Sequence, residues 1–351
     1  MNSVMKLAQQ IRKGLDAHLG DLRKTVLRKL SLTVAALLEA RKPGLAEIAA
    51  RLPLKTTRSD MREQWLRRLL KNELLDPFEV MQPFARMELE KAASAGQTIF
   101  LQMDQTDLGD RFAVLMLALR VGGRSLPLLW KVESGAANIG FDGQQELLDR
   151  LLGWIPVGAQ VMLLADRFYP SAKLLQWLKA KGWKYRLRLK GNLLVDVGRP
   201  DVETIADLAA GVTHRFEPQA LLFASMESTA IGILHEEGHP EPWIIAMDCQ
   251  PNRASVMDYS QRWGIEPMFS DYKSRGFNLE DTHLEDPDRL DRMMLFMALA
   301  MYWCTDVGRR DYIENPTPTE KKPKIKPTQA IGLCAKPHAV LYPGSSEVCV
   351  Y

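Results

Sequence analysis

The stretch TIFLQMDQTDLGDRFAVLMLALRVGGRSLPLLWKV, residues 98–132, decides the fold. Residues 98–102 are apolar and β-prone and lead into Met103-Asp104-Gln105-Thr106-Asp107. Residues 112–121 form a long apolar run, Gly122-Gly123 follows, and 126–132 is apolar again. Two apolar runs joined by Gly-Gly predict a β-hairpin. Farther along, 144–152 has helical spacing and 160–165 reads as a strand with Asp166 directly after it. A helix over 171–181 and a strand over 185–189 come next. Strands mixed with helices in this way indicate an α/β domain built on a mixed sheet.

Residues 1–95 predict helices only. Apolar residues recur at three and four spacing through Leu15, Leu19, Leu22, Val26, Leu27 and Leu30, then Val34, Leu37 and Leu38. A short helix over 45–52 and a longer one over 59–75, rich in Arg, have the outline of a helix-turn-helix. The segment 191–239 is irregular, with short β-like pieces and Gly and Pro between them, and reads as a β-rich insertion. A strongly apolar strand returns at 243–247, and helical character covers 254–273 and 287–307. Beyond Arg310 the chain is Pro/Lys-rich. The expected organisation is therefore a helical domain (1–95), an α/β domain (96–190 and 243–310), a β-rich insertion (191–242) and a Pro/Lys-rich tail (311–351).

Composition narrows the class. The 351 residues are 46% hydrophobic and 25% charged, which excludes disordered, collagenous and disulfide-scaffold chains. The longest apolar run, 293–304, is too short to cross a bilayer, and its methionines read as core filler. Residues 1–21 lack the apolar core of a signal peptide. Cys249, Cys304, Cys334 and Cys349 have no metal-like spacing, and a reducing cytoplasm is the expected setting. The net charge of +3 conceals an asymmetry. Residues 1–95 hold 18 Lys and Arg against 11 Asp and Glu, an excess of seven positive charges. The remaining 28 basic and 32 acidic residues leave a net −4. A basic amino-terminal third suits a polyanion-binding module, and a solvated helical face fits the charge equally well.

The residues that carry chemistry begin with Tyr259, Arg262, Glu266 and Lys273. On a regular helix, at about 100° per residue, all four fall within about 60° of one another. A carboxylate beside a phenol and two cations suits a metal ion together with a phosphate backbone. Gly264 and Pro267 weaken that helix. Asp104 ends one apolar strand and Asp166 follows another, and a carboxylate at a strand end faces the crevice where α/β sheets bind ligands. Hard cations such as Mg²⁺ take a few carboxylates and leave room for phosphate oxygens. His235 and His239 sit at i, i+4 spacing, but Gly238 and Pro240 predict a loop and not a metal site.

The sequence resembles the bacterial insertion-sequence transposases of the DDE type, in particular the IS-four-like group with its Tyr-x2-Arg-x3-Glu-x6-Lys signature. Tyr259, Arg262, Glu266 and Lys273 match all four positions. Met103-Asp104-Gln105-Thr106 is similar to the group's first-aspartate segment. Leu164-Ala165-Asp166-Arg167-Phe168 is similar to the second, with Phe168 where the group usually has glycine. The resemblance implies a ribonuclease-H-like catalytic domain with a β-rich insertion, preceded by an all-α DNA-binding domain.

The resemblance also implies roles. Asp104, Asp166 and Glu266 would hold two Mg²⁺ ions, with Mn²⁺ able to substitute. Tyr259, Arg262 and Lys273 would hold phosphates of double-stranded DNA near the cleaved element end, and Arg167 would either touch a phosphate or pair with an acid. Trp243 would stack on a base flipped out during hairpin formation, or serve as core. Arg62, Arg67 and Arg68 would bind element-end DNA. A homodimer would join two ends and attack target DNA, with no membrane involved. The second reading is a transposase-derived protein that occupies element ends without moving them, prompted by a carboxyl terminus that is short and broken by Pro and Gly.

Overall fold

The computed structural model describes residues 3–236, 240–273 and 275–315, and the backbone of two short paired strands, Ala339–Leu341 and Val348–Val350. The expected Pro/Lys-rich segment from 316 and the His239 of the histidine pair lie outside the described residues. The chain divides into two compact units, residues 84–267 and residues 1–83 with 268–351.

Residues 84–267 contain one ten-stranded sheet. Strands β1 (Ile99–Leu108), β2 (Phe112–Val121) and β3 (Arg124–Ser134) form an antiparallel meander. The Gly122-Gly123 hairpin is where the sequence predicts it, with Gly122 at φ 57°. Strand β2 is buried along eight consecutive residues, and its unbroken apolar run follows from being covered on both faces. Strand β3 is an edge strand. Its Pro127, which lacks an N–H, sits where the register with β2 shifts.

On the other side β1 pairs in parallel with β4 (Val161–Ala165), and β4 in parallel with β5 (Lys184–Arg188). The β4–β5 crossover is α7 (Ala172–Lys181), preceded by α6 (Phe141–Leu152) earlier in the chain. Ser171 caps α7 by accepting from the Leu174 N–H, and Gly182 closes it in the left-handed conformation. The order β3-β2-β1-β4-β5 is consistent with a ribonuclease-H-like transposase domain.

The segment expected as a separate β-rich insertion continues the same sheet. It holds β6 (Leu194–Asp196), β7 (Glu203–Thr204), the short helix α8 (Ile205–Ala209), β8 (His214–Leu222) and β9 (Glu227–Leu234). Strand β10 (Trp243–Met247) pairs antiparallel with both β5 and β9, and so joins the two halves. Gly232 of β9 lies where a Cβ would collide with Val256 on α9 (Arg253–Met257), so the helix can approach the sheet only over a glycine.

The helix expected over 254–273 is three pieces. After α9 comes a 3-10 segment, Asp258–Gly264, and then α10 (Ile265–Tyr272). The change of pitch alters the one-face argument. Residues three apart eclipse in a 3-10 turn, which places the Arg262 guanidinium over the Tyr259 ring at 5.7 Å.

The other unit is helical within its described residues, apart from the two short strands. It comprises α1 (Ser3–His18), α2 (Lys24–Ala40), α3 (Leu45–Arg51), α4 (Ser59–Leu70) and the long α11 (Pro287–Glu314), with α5 (Pro77–Ala92) crossing the division near Pro83. Leu30, Leu37, Ile48, Leu66, Leu290, Met293 and Met297 are fully buried. Helix α11 belongs to this unit, whereas the sequence places all of it up to residue 310 with the catalytic domain.

Arg62 on α4 donates to the carbonyls of Ala49, Ala50, Leu54 and Thr56. It thereby caps the end of α3, bonding the Ala50 carbonyl and sharing that of Ala49 with the Leu52 N–H. Its charge serves the α3–α4 turn, while Arg67 and Arg68 are exposed, Arg67 pairing loosely with Glu63 at 3.5 Å. Arg62→Ala should cost about 1–3 kcal/mol, and Arg67→Ala and Arg68→Ala less than about 0.5 kcal/mol. Thermal melting of the three variants checks this; equal melting temperatures would contradict the capping role.

Candidate active site

The site forms at the ends of the parallel strands. The last paired residues of β1 and β4 are Met103 and Ala165, so Asp104 and Asp166 stand at the next step on adjacent strands. Neighbouring strands are about 4.8 Å apart, and two carboxylates there repel. Burial pushes the Asp104 carboxyl above its ordinary value, and Asp166 adds to the shift; Arg262 and the Gln105 N–H oppose it.

Arg262 is the counter-charge. Its side chain is 8% exposed, and it donates from Nη1 to Asp104 Oδ2 at 3.0 Å and from Nη2 to Glu266 Oε1 at 2.6 Å. Burial works against its charge and is outweighed by Tyr259, Asp104, Asp166 and Glu266 together. Tyr259 is buried and donates its hydroxyl to Asp166 Oδ1 at 3.4 Å. Burial and Asp166 raise its phenol, with Arg262 and Arg188 opposing, so the group stays protonated and donates. Tyr259 and Arg262 thus meet the two strand-end aspartates, and Glu266 joins them through Arg262. Lys273 does otherwise, pairing with Glu280 at 3.3 Å.

Several supporting residues were not singled out from the sequence. Tyr169 donates to Asp104 Oδ1 at 3.3 Å, and burial followed by the Asp104 charge raises its phenol. Gln102 is fully buried on the same face of β1 as Asp104, two residues away. Its amide donates to the carbonyls of Gln261 and Arg262 and its oxygen accepts from Ser125. Gly264 packs where any Cβ would overlap Arg120 and Ser125. Together they pin the 3-10 segment onto the sheet. Behind it the buried Arg186 bonds Asp248, Asp258 and the Ser255 carbonyl. A polar Gln inside an apolar strand and an Arg inside a β-prone one were the signals available.

Trp243 is half-buried and packs edge-on against Tyr259 at 5.4 Å and Trp263 at 5.3 Å. Arg167 pairs with Glu241 at 3.4 Å. His235 lies past the end of β9, and among the described residues no group of three or more His, Cys, Asp and Glu side chains is arranged to hold a metal ion.

The family profile described as the transposase DDE domain matches residues 102–303, more than half of the chain and including Asp104, Asp166 and Glu266. The chain belongs to the DDE transposases. No curated protein matches it. Among solved structures it is similar to Marinitoga piezophila Argonaute in complex with 5′-OH guide RNA and target DNA. That match has 11% identity over 54% of this chain and 30% of that one, with a TM-score of 0.24, too slight a likeness to carry an argument. Among the described residues no helix is long and apolar enough to cross a membrane.

Within this transposase chain the donor set suits a hard divalent cation. Asp104 and Asp166 offer oxygen ligands of the kind such an ion takes, while Glu266 is held by Arg262 and does not complete a group of three with them. Arg262 supplies positive charge between Asp104 and Glu266, which like charges alone would keep apart.

The sign of the pH dependence follows. Asp104 holds its proton to higher pH when folded than when unfolded, so its contribution is most favourable below the ordinary value of 3.8 and is lost as pH rises through the raised value. Asp104→Asn should melt above the parent at neutral pH, with the gap closing on acidification. Arg262→Met should cost about 3–5 kcal/mol, because it leaves a buried carboxylate unpaired. That cost should fall sharply in an Asp104→Asn background. Denaturant titrations of the double-mutant cycle test both; additive losses would mean that Arg262 and Asp104 are not coupled.

Proposed function

We propose that the chain is a cut-and-paste transposase of the IS-four-like group, acting on the double-stranded DNA ends of an insertion sequence. The observation that supports this best is the single network in which Tyr259 and Arg262 bond Asp166 and Asp104 at two adjacent strand ends, with Glu266 joined through Arg262. In this reading Asp104, Asp166 and Glu266 hold two Mg²⁺ ions, or Mn²⁺ in their place. Those ions would supply activation of the attacking oxygen and stabilisation of the leaving one.

The chain's own residues do the positioning. Tyr169 fixes one oxygen of Asp104 and leaves the other toward Arg262. Tyr259, still protonated, can donate to Asp166 or to a phosphate oxygen. Arg262 exchanges its carboxylates for a DNA phosphate, which its planar donors suit. Lys273 is assigned to a phosphate farther along the strand, on release from Glu280. Arg67 and Arg68 supply non-specific contact from the helical region, and that contact should weaken steeply with salt. A homodimer brings two element ends and the target together, in the cytoplasm.

Two tests follow. With its element on a plasmid, the parent chain should excise it, and Asp104→Ala, Asp166→Ala and Glu266→Ala should each abolish excision; three variants as active as the parent would refute the assignment. Mg²⁺ or Mn²⁺ should raise the melting temperature of the parent and leave that of Asp104→Ala unchanged. For Trp243→Ala, the edge-on packing favours parallel losses of nicking and hairpin formation with earlier melting. Intact nicking with slowed hairpin formation would instead assign base stacking.

A further inference from the structure

A row of charged residues crosses the ends of the three parallel strands. Asp104 on β1 stands beside Asp166 after β4. The β4–β5 register, Ala165 opposite Leu187, then places Asp166 beside Arg188 on β5. The next residue after Asp166 is Arg167. The carboxylates of this row are occupied with Arg262, Tyr259 and Tyr169, but the two arginines are not part of that network.

Both arginines converge on one atom. Arg188 Nη2 lies 3.0 Å, and Arg167 Nη1 3.4 Å, from the same oxygen, Oε2 of Glu241. Glu241 sits in the short segment that leads into β10, with a side chain 55% exposed, while Arg188 is 18% exposed. Two guanidiniums on one carboxylate oxygen leave the pocket one positive charge in excess. Arg188 stands beside Asp166 across the β4–β5 register and Arg167 follows Asp166 directly, so the pair borders the same strand-end crevice. Two residues beyond Arg188, Lys190 lies 4.7 Å over the exposed ring of Phe168 and extends the basic edge.

We propose that Arg167 and Arg188 form a phosphate-binding subsite for the DNA backbone beside Asp166, and that Glu241 occupies it as a carboxylate stand-in until DNA displaces it. A phosphodiester offers two unesterified oxygens to two guanidiniums, which matches the donors better than the single shared carboxylate oxygen. Displacement is easy because an exposed ion pair is weakly held and is screened by salt. Glu241 therefore sets a threshold: DNA must compete for the cations, and loosely placed duplexes are rejected in favour of one seated against the strand ends. The inference rests on the reading of the chain as acting on DNA.

The test uses the full chain, a fluorescent duplex of arbitrary sequence and no divalent metal, with anisotropy read at low and at physiological ionic strength. Glu241→Gln should tighten binding, up to about fivefold at low salt from the usual strength of exposed pairs, with a smaller gain at higher salt. Arg188→Gln and Arg167→Gln should each weaken binding. In combination with Arg188→Gln and Arg167→Gln, Glu241→Gln should give no gain. Melting curves establish that each variant is folded, and if Arg188→Gln melts early, Arg167→Gln carries the cycle. An unchanged or weaker affinity in folded Glu241→Gln overturns the proposal, as does an equal gain when both arginines are replaced, which would mark a general charge effect. A parent chain that neither binds the duplex nor excises its element sinks the DNA reading itself, whereas a parent that does both with a silent Glu241→Gln sinks only the subsite.

Discussion

The buried charge at the ends of β1 and β4 is the constraint on which the rest of the site depends. Two aspartates on neighbouring strands cannot both be ionised away from water without positive charge beside them. Arg262 meets part of that demand by bridging Asp104 and Glu266, and so draws the start of α10 to the sheet. The same demand is what makes the location suitable for cationic chemistry. A crevice that must be neutralised by an arginine in one state can be neutralised by a divalent ion in another, with the arginine then available for phosphate.

A buried guanidinium is useful only if its backbone is held still. Gln102, Ser125 and Gly264 do this on one side by bonding or admitting the 3-10 segment. Arg186 does it on the other by tying Asp248 and Asp258 together. These interactions are buried and charged or amide-based, so each is costly to break. Tyr259 is part of the hydrophobic core with Ile245, Met247 and Val256, which fixes its ring and hydroxyl beneath the Arg262 guanidinium. Rigid apolar packing and a few directed polar bonds together place Tyr259 and Arg262 against two aspartates, with Glu266 joined through Arg262.

Much of this was legible in the sequence. The Gly-Gly hairpin, the strand before Asp166 and the helix over 171–181 are local, since each rests on apolar spacing and a turn residue within about ten positions. The Tyr-x2-Arg-x3-Glu spacing is equally local, but it does not lie on one face of a regular helix, because the backbone is 3-10 over Asp258–Gly264 and α-helical only from Ile265. Gly264 and Pro267 signalled the irregularity, and contact with Arg120 and Ser125 explains why glycine is there. Arg62 shows the same limit of local reading. Its charge and its place on a basic helix read as a DNA contact, while its donors are spent on the carbonyls that end α3.

The sequence by itself determined the mixed α/β class of the sheet and the resemblance to the DDE transposases, because these depend on residue type at short range. Only the tertiary structure decided which charges face one another. The pairing of Arg262 with Asp104 spans 158 positions, that of Arg186 with Asp258 spans 72, and the meeting of Arg167 and Arg188 at Glu241 needs three separate segments. The continuity of the sheet through β10 was likewise hidden, since an apolar strand carries no mark of the neighbours it will pair with. Electrostatic partnership is a property of distance in space, and that distance is set by the packing of the whole sheet.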